Sequence, residues 1–428
     1  MVFRATSKTL LLGSMVVLIT VMLFVTVWDP SLHFDEVHAG ISAPKVRRSG
    51  ELEMNYTSSW QLPFDPHGND TMVYIHIHKT GGSAFLEHLV TMQLPVFQKI
   101  GASYVRRSPL NLCQMSNSKT WKRGGGFLNM SQSLVMHMEL CPRHALNLTG
   151  ETWLISEKTT GWMCGVHALY VDFVHCLRDV TKYNKHASKT HFPFVSPNRN
   201  FHYVTLLRHP ILRYLSEYLQ TTRGGCWPTH ARVCNGKTIS SAKNTHPCTI
   251  CRMKGNKKKL SLEEFLECKH DWRNNRLTLA LADSKQVTCW NKTQYTSDER
   301  GTLLLESAKR NLLKFAFFGI LEFQEESGWL FERTFGVEFG IPPPHLPLNS
   351  SLATLLLQTL PDHRSLYSQA INNNRLDLEL YWFALKVFRN RMKSIGKDLD
   401  KDTIHSLRTL LPHNHIHNSG MITTIPSI

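Results

Sequence analysis

Apolar and polar positions alternate along several stretches of the chain and then change to helical spacing. In residues 72–78, MVYIHIH, aliphatic side chains alternate with aromatic or polar ones, which predicts a strand, and residues 86–94 have the spacing of a helix. The apolar run 201–207 predicts a second strand, and residues 211–222 predict a following helix with Pro210 suited to its first position. Each strand is therefore expected to lead directly into a helix.

The same alternation continues towards the C-terminus. It predicts an amphipathic helix over 303–315, a buried strand over 315–321, a helix over 325–335 and a long helix over 376–392. Strands that alternate with helices are typical of an α/β domain with a central parallel sheet flanked by helices. Ligands of such sheets bind beyond the carboxyl ends of the strands.

The N-terminus predicts a membrane anchor. Residues 9–28 carry no charge over about 20 positions, enough to cross the hydrocarbon core of a bilayer. Arg4 and Lys8 precede this run, which keeps the N-terminus cytosolic and the rest of the chain lumenal. The predicted organisation is a cytosolic tail (1–8), a transmembrane signal anchor (9–28), a stem (29–67), a lumenal domain (68–395) and a polar, flexible C-terminal tail (396–428).

Composition makes a polyanion the expected partner. The 428 residues include 49 Lys and Arg against 33 Asp and Glu, a formal charge of +16. All 10 cysteines follow the anchor, an even number that suits disulfides in an oxidising compartment. Sulfated or carboxylated glycans are the abundant polyanions there, so nucleic acid is not the expected partner. Sequons predict N-glycans on the same side of the membrane, at Asn55, Asn69, Asn129, Asn147, Asn291 and Asn349.

The segment HKTGGS, residues 78–83, lies where the first strand turns into a helix. Backbone N–H groups at a helix start have no partner within the helix, the dipole favours an anion there, and glycine lets the backbone approach a phosphate. The lysine precedes the glycines, whereas in the phosphate loop of an ordinary NTPase it follows them. By itself this motif is compatible with an anion-binding loop around Lys79 and with a plain turn.

The segment LLRHP, residues 206–210, adds a second candidate anion contact. Arg208 at the strand end and Ser216 two turns along the helix would converge on one phosphate, with the guanidinium as a bidentate donor. The alternative is that Arg208 pairs with a carboxylate and Ser216 fills space between helices. Lys79 and Arg208 both follow carboxyl ends of predicted strands, which favours one shared site.

Together these motifs resemble the membrane-anchored heparan-sulfate 6-O-sulfotransferases. The resemblance rests on KTGGS, on LLR-x-P-x-x-RYLSE and on GWMCGVH between them, and continues through RGGCW, NNR, LLLESAKRNL, FFGILEFQ and LFERTF. It covers roughly residues 70–392. It implies the P-loop-like sulfotransferase fold, 3′-phosphoadenylyl sulfate as the sulfuryl donor, heparan sulfate as the acceptor and the Golgi membrane as the location.

The resemblance also implies roles for individual residues. His167 falls on the family's catalytic base, and Lys79 is the main cation at the 5′-phosphosulfate. Trp162, Trp227 and Gln220 join His167 at the acceptor site, although core packing is an alternative for the two indoles. The residues implied to bind the donor are His76, Ile77, His78, Lys79, Thr80, Gly81, Gly82, Ser83, Ala84, Arg208, Ser216 and Ser351.

The chemistry of sulfuryl transfer calls for these residue types. The group moves in line from a phosphate oxygen to a sugar hydroxyl, and in the parallel case of phosphoryl transfer positioning and charge stabilisation dominate. An imidazole suits removal of the hydroxyl proton, and Lys79 with the loop amides suits the charge that grows on the leaving phosphate. Protein cations meet the charge of the donor, so no metal site is predicted.

The chain departs from the family's pattern around this site. His209 stands where an aspartate is usual, Glu157 where a basic residue is usual, and Gln220 where a histidine is usual. Leu352 replaces an arginine, which is expected to weaken donor binding by about 1.5–3 kcal/mol. We favour an active enzyme with a changed acceptor preference. The alternatives are sulfation of another glycan or position, and a catalytically weak lumenal glycan-binding protein.

Two cysteine segments allow either disulfides or zinc ligation. Cys164 and Cys176, near the predicted base, are interpreted as disulfide partners. The segment HPCTIC, 246–251, has half the spacing of a zinc site, but no second CxxC or HxxxH follows it, so disulfides are favoured there too. The basic segment 252–260 either attracts a sulfated chain or is a solvated loop.

Overall fold

In the part of the chain that the structure describes, the central sheet has four parallel strands, β1 (Asp70–Ile75), β2 (Leu154–Ile155), β3 (Asn200–Leu207) and β6 (Phe317–Ile320). Their order across the sheet is β2-β1-β3-β6. Val73 of β1 pairs with Ile155 on one side and with Tyr203 on the other. Short strands β4 (Arg232–Cys234) and β5 (Lys237–Ile239) form a separate antiparallel pair. The parallel sheet confirms the predicted α/β class.

The computed structural model describes part of the chain, all of it within the unit Tyr56–Ile428. The described residues are 64–66, 68–91, 153–160, 164, 167–186, 199–223, 232–234, 237–239, 260–268, 273–287, 289, 294–339, 354, 357 and 364–409. The predicted anchor and nearly all of the predicted stem lie outside them. In these ranges no helix has the length and apolar character needed to cross a bilayer.

Helices follow most of the strands, as the alternating pattern predicts. Their bounds are α1 (Gly82–Thr91), α2 (Tyr170–His186), α3 (Pro210–Thr222), α4 (Leu262–Leu266), α5 (Arg276–Leu281), α6 (Ser297–Leu312), α7 (Gln324–Phe335), α8 (Arg364–Asn373), α9 (Arg375–Ser394) and α10 (Lys401–Thr409), with 3-10 turns at Ser284–Val287 and Leu321–Phe323. Pro210 occupies the first turn of α3, because its fixed φ suits that position and its missing N–H costs nothing there.

Two adjacent aromatic residues of β6 show that helices cover both faces of the sheet. Side chains of neighbouring strand residues point to opposite faces. Phe317 contacts Phe85 of α1 and Phe331 of α7, with ring centroids 6.1 and 5.1 Å away. Phe318 contacts Phe388 of α9, with ring centroids 6.4 Å apart. The sheet is therefore buried on both sides.

Two differences between the structure and the sequence pattern are informative. The alternation in residues 72–78 predicts a strand there, but β1 runs from Asp70 to Ile75 and all six of its residues are buried. A central strand is covered on both faces, so polarity does not mark its limits. The predicted polar tail from residue 396 contains helix α10, whose Leu407 is fully buried.

Candidate active site

Each of the four parallel strands delivers a polar side chain just past its carboxyl end. His76 follows β1, Glu157 follows β2, Arg208 follows β3 and Glu322 follows β6. Because the strands are parallel, these four positions lie along one edge of the sheet. The sequence predicts a site at the carboxyl ends of the strands. The structure shows which strands are neighbours and therefore which side chains share this edge.

The loop between β1 and α1 has an unusual backbone. Lys79 and Gly81 have positive φ values of 66° and 86°. The Thr80 hydroxyl donates a hydrogen bond to the Ile77 carbonyl at 2.9 Å, so this side chain holds the loop. Alternation between right- and left-handed backbone turns successive N–H groups towards one concavity, which is a way to bind an anion. A positive φ at a lysine costs about 1–2 kcal/mol, which the surrounding contacts must offset.

Gly82 lets α1 begin in close contact with the end of β1. A Cβ at this position would lie 2.4 Å from the Tyr74 hydroxyl and 2.9 Å from Cδ2 of His76. Any side chain at position 82 would displace one of these groups. The glycine is therefore needed for close packing between the loop and the strand end, whatever the loop binds.

Arg208 reaches from the end of β3 to the loop. Its Nη1 donates a hydrogen bond to the Lys79 carbonyl oxygen at 3.2 Å. Burial lowers the pKa of Arg208, and nearby Glu322 opposes that effect. Burial also lowers the pKa of Lys79, and the proximity of Arg208 lowers it further. The two positive charges repel one another, so an anion close to both would be stabilised by both.

Three histidines meet beside this loop. The ring centroid of His167 lies 4.1 Å from that of His78 and 5.0 Å from that of His76, both in edge-on contacts. His167 has a φ of 50°, so the backbone at this position is left-handed. The predicted base therefore lies against the residue that precedes Lys79, and the structure brings Lys79, Arg208 and His167 into one region.

Two carboxylates adjoin this region, one buried (Glu217) and one half-buried (Glu322). Glu217 of α3 accepts hydrogen bonds from Arg213 at 2.5 Å and from Arg276 at 2.7 Å, and it lies 3.9 Å from Nδ1 of His78. Burial alone would raise the pKa of Glu217, but the two arginines outweigh it and hold that pKa below its usual value. Glu217 therefore stays charged beneath the loop.

Glu322 is the second of these carboxylates. Its Oε1 accepts from the backbone N–H of His209 and its Oε2 from the Tyr381 hydroxyl, both at 2.9 Å. Burial raises the pKa of Glu322, and Arg208 opposes that shift. The sequence allows Arg208 to contact an anion or to pair with a carboxylate. In the structure Arg208 contacts the Lys79 carbonyl and also interacts electrostatically with Glu322.

His209 is fully buried at the start of α3. Burial, and secondly the neighbouring Arg208, lower the pKa of His209 from 6.5 to about 3. Within the part of the chain that the structure describes, neither of its ring nitrogens has a hydrogen-bond partner. The imidazole that replaces the family's aspartate is thus a neutral packing group against Tyr381, with ring centroids 5.5 Å apart.

This depressed pKa predicts a pH-dependent stability. The unfolded chain takes up this proton below about pH 6.5 and the folded protein does so only near pH 3, so the stabilisation is present above pH 6.5 and is lost as the pH falls. Between pH 7.5 and 5.0 the parent should lose about 2 kcal/mol of unfolding free energy through this ring, and His209→Asn should not. Denaturant titrations at both pH values measure the difference. Ile320→Val, destabilised without loss of a titrating group, should keep the parent's pH dependence, and an unchanged dependence in His209→Asn would contradict the assignment.

The other predicted site residues lie at varied places. Ile77 is buried, so only its backbone can contact a ligand, whereas Ser83 and Ala84 are exposed in the first turn of α1. Ser216 and Gln220 lie half-buried on α3. Trp162, Trp227, Ser351 and Leu352 lie outside the described residues, as do residues 246–251, residues 252–259 of the basic segment, and the sequons other than Asn69, which is exposed.

Sequence reasoning missed several groups that shape the site. Glu217 and Arg213 are four residues apart on one helix, a spacing that signals an ion pair. Glu322 follows the last strand of the sheet, so the strand-end rule that selected Arg208 also applies to it. The contact between Glu157 and His76 has no local signal, because it joins distant segments of the chain.

The residues present suit an anionic ligand. Nε of Arg208 is buried and lacks a hydrogen-bond partner among the described residues, and Arg208 and Arg223 both lie in the electrostatic environment of Lys79. Across the same residues no cluster of three His, Cys, Asp or Glu has the arrangement of a metal site. A disulfide joins Cys164 to Cys176, as predicted, and both Cys268 and Cys289 are also disulfide-bonded.

The chain is similar in sequence to known sulfotransferases. A sequence model of the sulfotransferase family matches residues 63–384. Heparan-sulfate 6-O-sulfotransferase 2 of Gallus gallus is 32% identical over 77% of this chain and 70% of its own length. Heparan-sulfate 6-O-sulfotransferase 1-B of Danio rerio is 33% identical, with 69% of its length covered. For heparan-sulfate 6-O-sulfotransferase 3 of Homo sapiens the identity is 33% and the alignment spans 60% of that protein.

Proposed function

This chain belongs to the heparan-sulfate 6-O-sulfotransferase family, and on that premise we propose that it transfers a sulfuryl group from 3′-phosphoadenylyl sulfate to the 6-hydroxyl of glucosamine in heparan sulfate. The family's reaction needs a site for a nucleotide with two anionic groups, the 3′-phosphate and the 5′-phosphosulfate, and a base for a sugar hydroxyl. The observation that carries the proposal is the hydrogen bond from Arg208 to the Lys79 carbonyl, beside the ring of His167.

The residues divide the work between binding and proton transfer. Lys79 and the N–H groups of residues 80–84 bind the 5′-phosphosulfate and stabilise the charge that develops on the phosphate. Arg208 and Ser216 hold the 3′-phosphate. His167 accepts the proton of the 6-hydroxyl as the new bond to sulfur forms. The positive φ values at Lys79 and Gly81 preorganise the loop before any ligand binds.

Fewer described residues support the acceptor site than the donor site. Trp162 and Trp227 are proposed to stack on the sugar rings, with Gln220 at the same face. The sign of the protein's charge, +16 overall, favours approach of a sulfated chain. Oε1 of Glu157 lies 2.6 Å from Nδ1 of His76, so this carboxylate is directed towards that ring.

We also propose a Golgi location with one N-terminal membrane helix at residues 9–28 and N-glycans on the lumenal side. The support is the uncharged run with its basic flank, together with disulfide-bonded cysteines that require an oxidising compartment. Asn69, the sequon residue that the structure describes, is exposed just before β1. A shift in mobility after glycosidase treatment of the secreted domain would support this topology.

A transfer assay tests the proposed activity. The domain from residue 56 onward is incubated with donor labelled in the sulfuryl group and with heparins desulfated separately at the 6-hydroxyl, the 2-hydroxyl and the amine. Label should appear at carbon 6 of glucosamine after digestion to disaccharides. Label at another position would favour the alternative acceptor, and glycan binding without any transfer would favour a catalytically weak binding protein.

A further inference from the structure

The segments that follow β3 and β6 leave the sheet side by side. Leu207 of β3 pairs with Ile320 of β6 where both strands end. Arg208 follows the first of these residues directly, and Glu322 follows the second after Leu321. Because neighbouring parallel strands end at the same edge of a sheet, Glu322 lies within reach of the backbone next to Arg208.

Glu322 fixes the backbone at the start of α3. Its Oε1 accepts a hydrogen bond, at 2.9 Å, from the N–H of the peptide that joins Arg208 to His209. In a capping box a glutamate in the helix itself accepts this N–H, but Leu212 occupies that position of α3. A carboxylate beside the first turn of a helix is also favoured by the helix dipole. Glu322 therefore takes this role from another segment of the chain.

Helix α9 and the loop after β1 hold the turn that carries Glu322. Oε2 of Glu322 accepts a hydrogen bond from the Tyr381 hydroxyl at 2.9 Å. Burial, and secondly Glu322, raise the pKa of Tyr381 well above its usual value, so the phenol keeps the proton that it donates. Leu321 packs on the loop, where a Cβ at Gly81 would lie 2.6 Å from Cδ1 of Leu321. The turn Leu321–Phe323 thus contacts both segments that are proposed to bind the nucleotide.

We propose that Glu322 is a positioning residue for the 3′-phosphate of the donor, which acts through the backbone at His209 to place the guanidinium of Arg208. This inference rests on the proposed function, in which Arg208 holds that phosphate. Arg208 donates from Nη1 to the Lys79 carbonyl, and its Nε is buried without a hydrogen-bond partner in the described part of the chain. Packing restricts the rotamers of a buried side chain. The backbone that Glu322 holds therefore decides where the guanidinium meets a phosphate.

The second carboxylate of this region has a different task. Glu217 accepts hydrogen bonds from the side chains of Arg213 and Arg276, so it ties α3 to the start of α5. Glu322 accepts instead from the peptide next to Arg208. A variant of Glu322 therefore tests the position of Arg208 and leaves the contacts of Glu217 unchanged.

Two nucleotides isolate the contact to the 3′-phosphate. Adenosine 5′-phosphate differs from 3′-phosphoadenosine 5′-phosphate only in that it lacks this group, so the ratio of their dissociation constants reports on the 3′-phosphate. Calorimetric titration measures both constants, by displacement for the weaker ligand. The same measurement on variants of Glu322 separates a change at the 3′-phosphate from a change in the whole nucleotide site.

Glu322→Leu removes both acceptor oxygens at similar size. We expect it to bind 3′-phosphoadenosine 5′-phosphate about tenfold more weakly and adenosine 5′-phosphate within about twofold of the parent. Glu322→Gln keeps an oxygen for the His209 N–H and should bind both nucleotides within about threefold of the parent. Tyr381→Phe is a milder change that frees Oε2 of Glu322. It should weaken binding of the 3′-phosphorylated nucleotide alone, by about threefold.

The matched control is Glu332→Leu on α7. Glu332 is also a half-buried carboxylate that accepts a backbone N–H, from Phe339 at 2.9 Å, and its loss should leave both affinities as in the parent. Equal weakening of the two nucleotides in Glu322→Leu would overturn this inference, and so would a glutamine variant as weak as the leucine variant. If Glu322→Leu does not fold, parent-like binding by Tyr381→Phe overturns it. A parent that binds both nucleotides equally would instead overturn the proposed function.

Discussion

Lys79→Met is expected to lower kcat/KM for sulfuryl transfer by about a hundred- to a thousandfold, the loss seen when one preorganised donor to a developing anion is removed. Lys79 lies at the centre of the loop after β1, where its charge is held beside that of Arg208. Its aliphatic stem is kept in methionine, so packing changes little. Steady-state kinetics with varied donor concentration measure the effect.

A lysine on the surface supplies the control for this variant. Lys386→Met removes an exposed charge from α9 and should leave kcat/KM within about twofold of the parent. Both variants should unfold at the same temperature as the parent within a few degrees. Equal kcat/KM values for the two methionine variants would mean that Lys79 does not bind the donor. The segment HKTGGS would then be a plain turn.

His167→Asn is expected to lower kcat by about a hundred- to ten-thousandfold, since it removes the base and leaves the donor site intact. Asparagine is the suitable replacement because the backbone at this position has a φ of 50°, which asparagine tolerates better than alanine. Donor affinity, measured by calorimetry without the acceptor, should stay within about twofold. Rates are measured with saturating donor and 6-desulfated heparin.

Two outcomes would show that His167 has another role. A variant with full kcat would exclude it as the base, and one that loses donor binding in step with kcat would make it a structural residue of the loop. His405→Asn, at an exposed position of α10, controls for the general loss of an imidazole and should behave as the parent.

The sequence predicted the elements whose signals are local. Alternating apolar positions ended by glycines marked β1 and the loop before α1, and Pro210 marked the first turn of α3. The pairing of Cys164 with Cys176 was also predicted and is confirmed. In each case neighbours in the chain carry the information, because backbone preferences and short loops act over a few residues.

The parts that sequence reasoning missed depend on contacts between distant segments. Strand β2 has only two residues, Leu154 and Ile155, and is defined by its pairing with β1. Glu157 lies against His76, a contact between two strand ends that are far apart in the sequence. Such a contact cannot be found from the sequence, because the fold alone decides which side chains of distant segments meet.

The central claim is that the loop after β1 and Arg208 after β3 hold one nucleotide, and its binding can be measured directly. Calorimetric titration of 3′-phosphoadenosine 5′-phosphate into the parent, Lys79→Met, Arg208→Leu and Lys386→Met tests this claim without any turnover. The account predicts that the parent and Lys386→Met bind alike, and that Lys79→Met and Arg208→Leu each bind about ten- to a hundredfold more weakly while remaining folded. Parent-like affinity in both Lys79→Met and Arg208→Leu would contradict it.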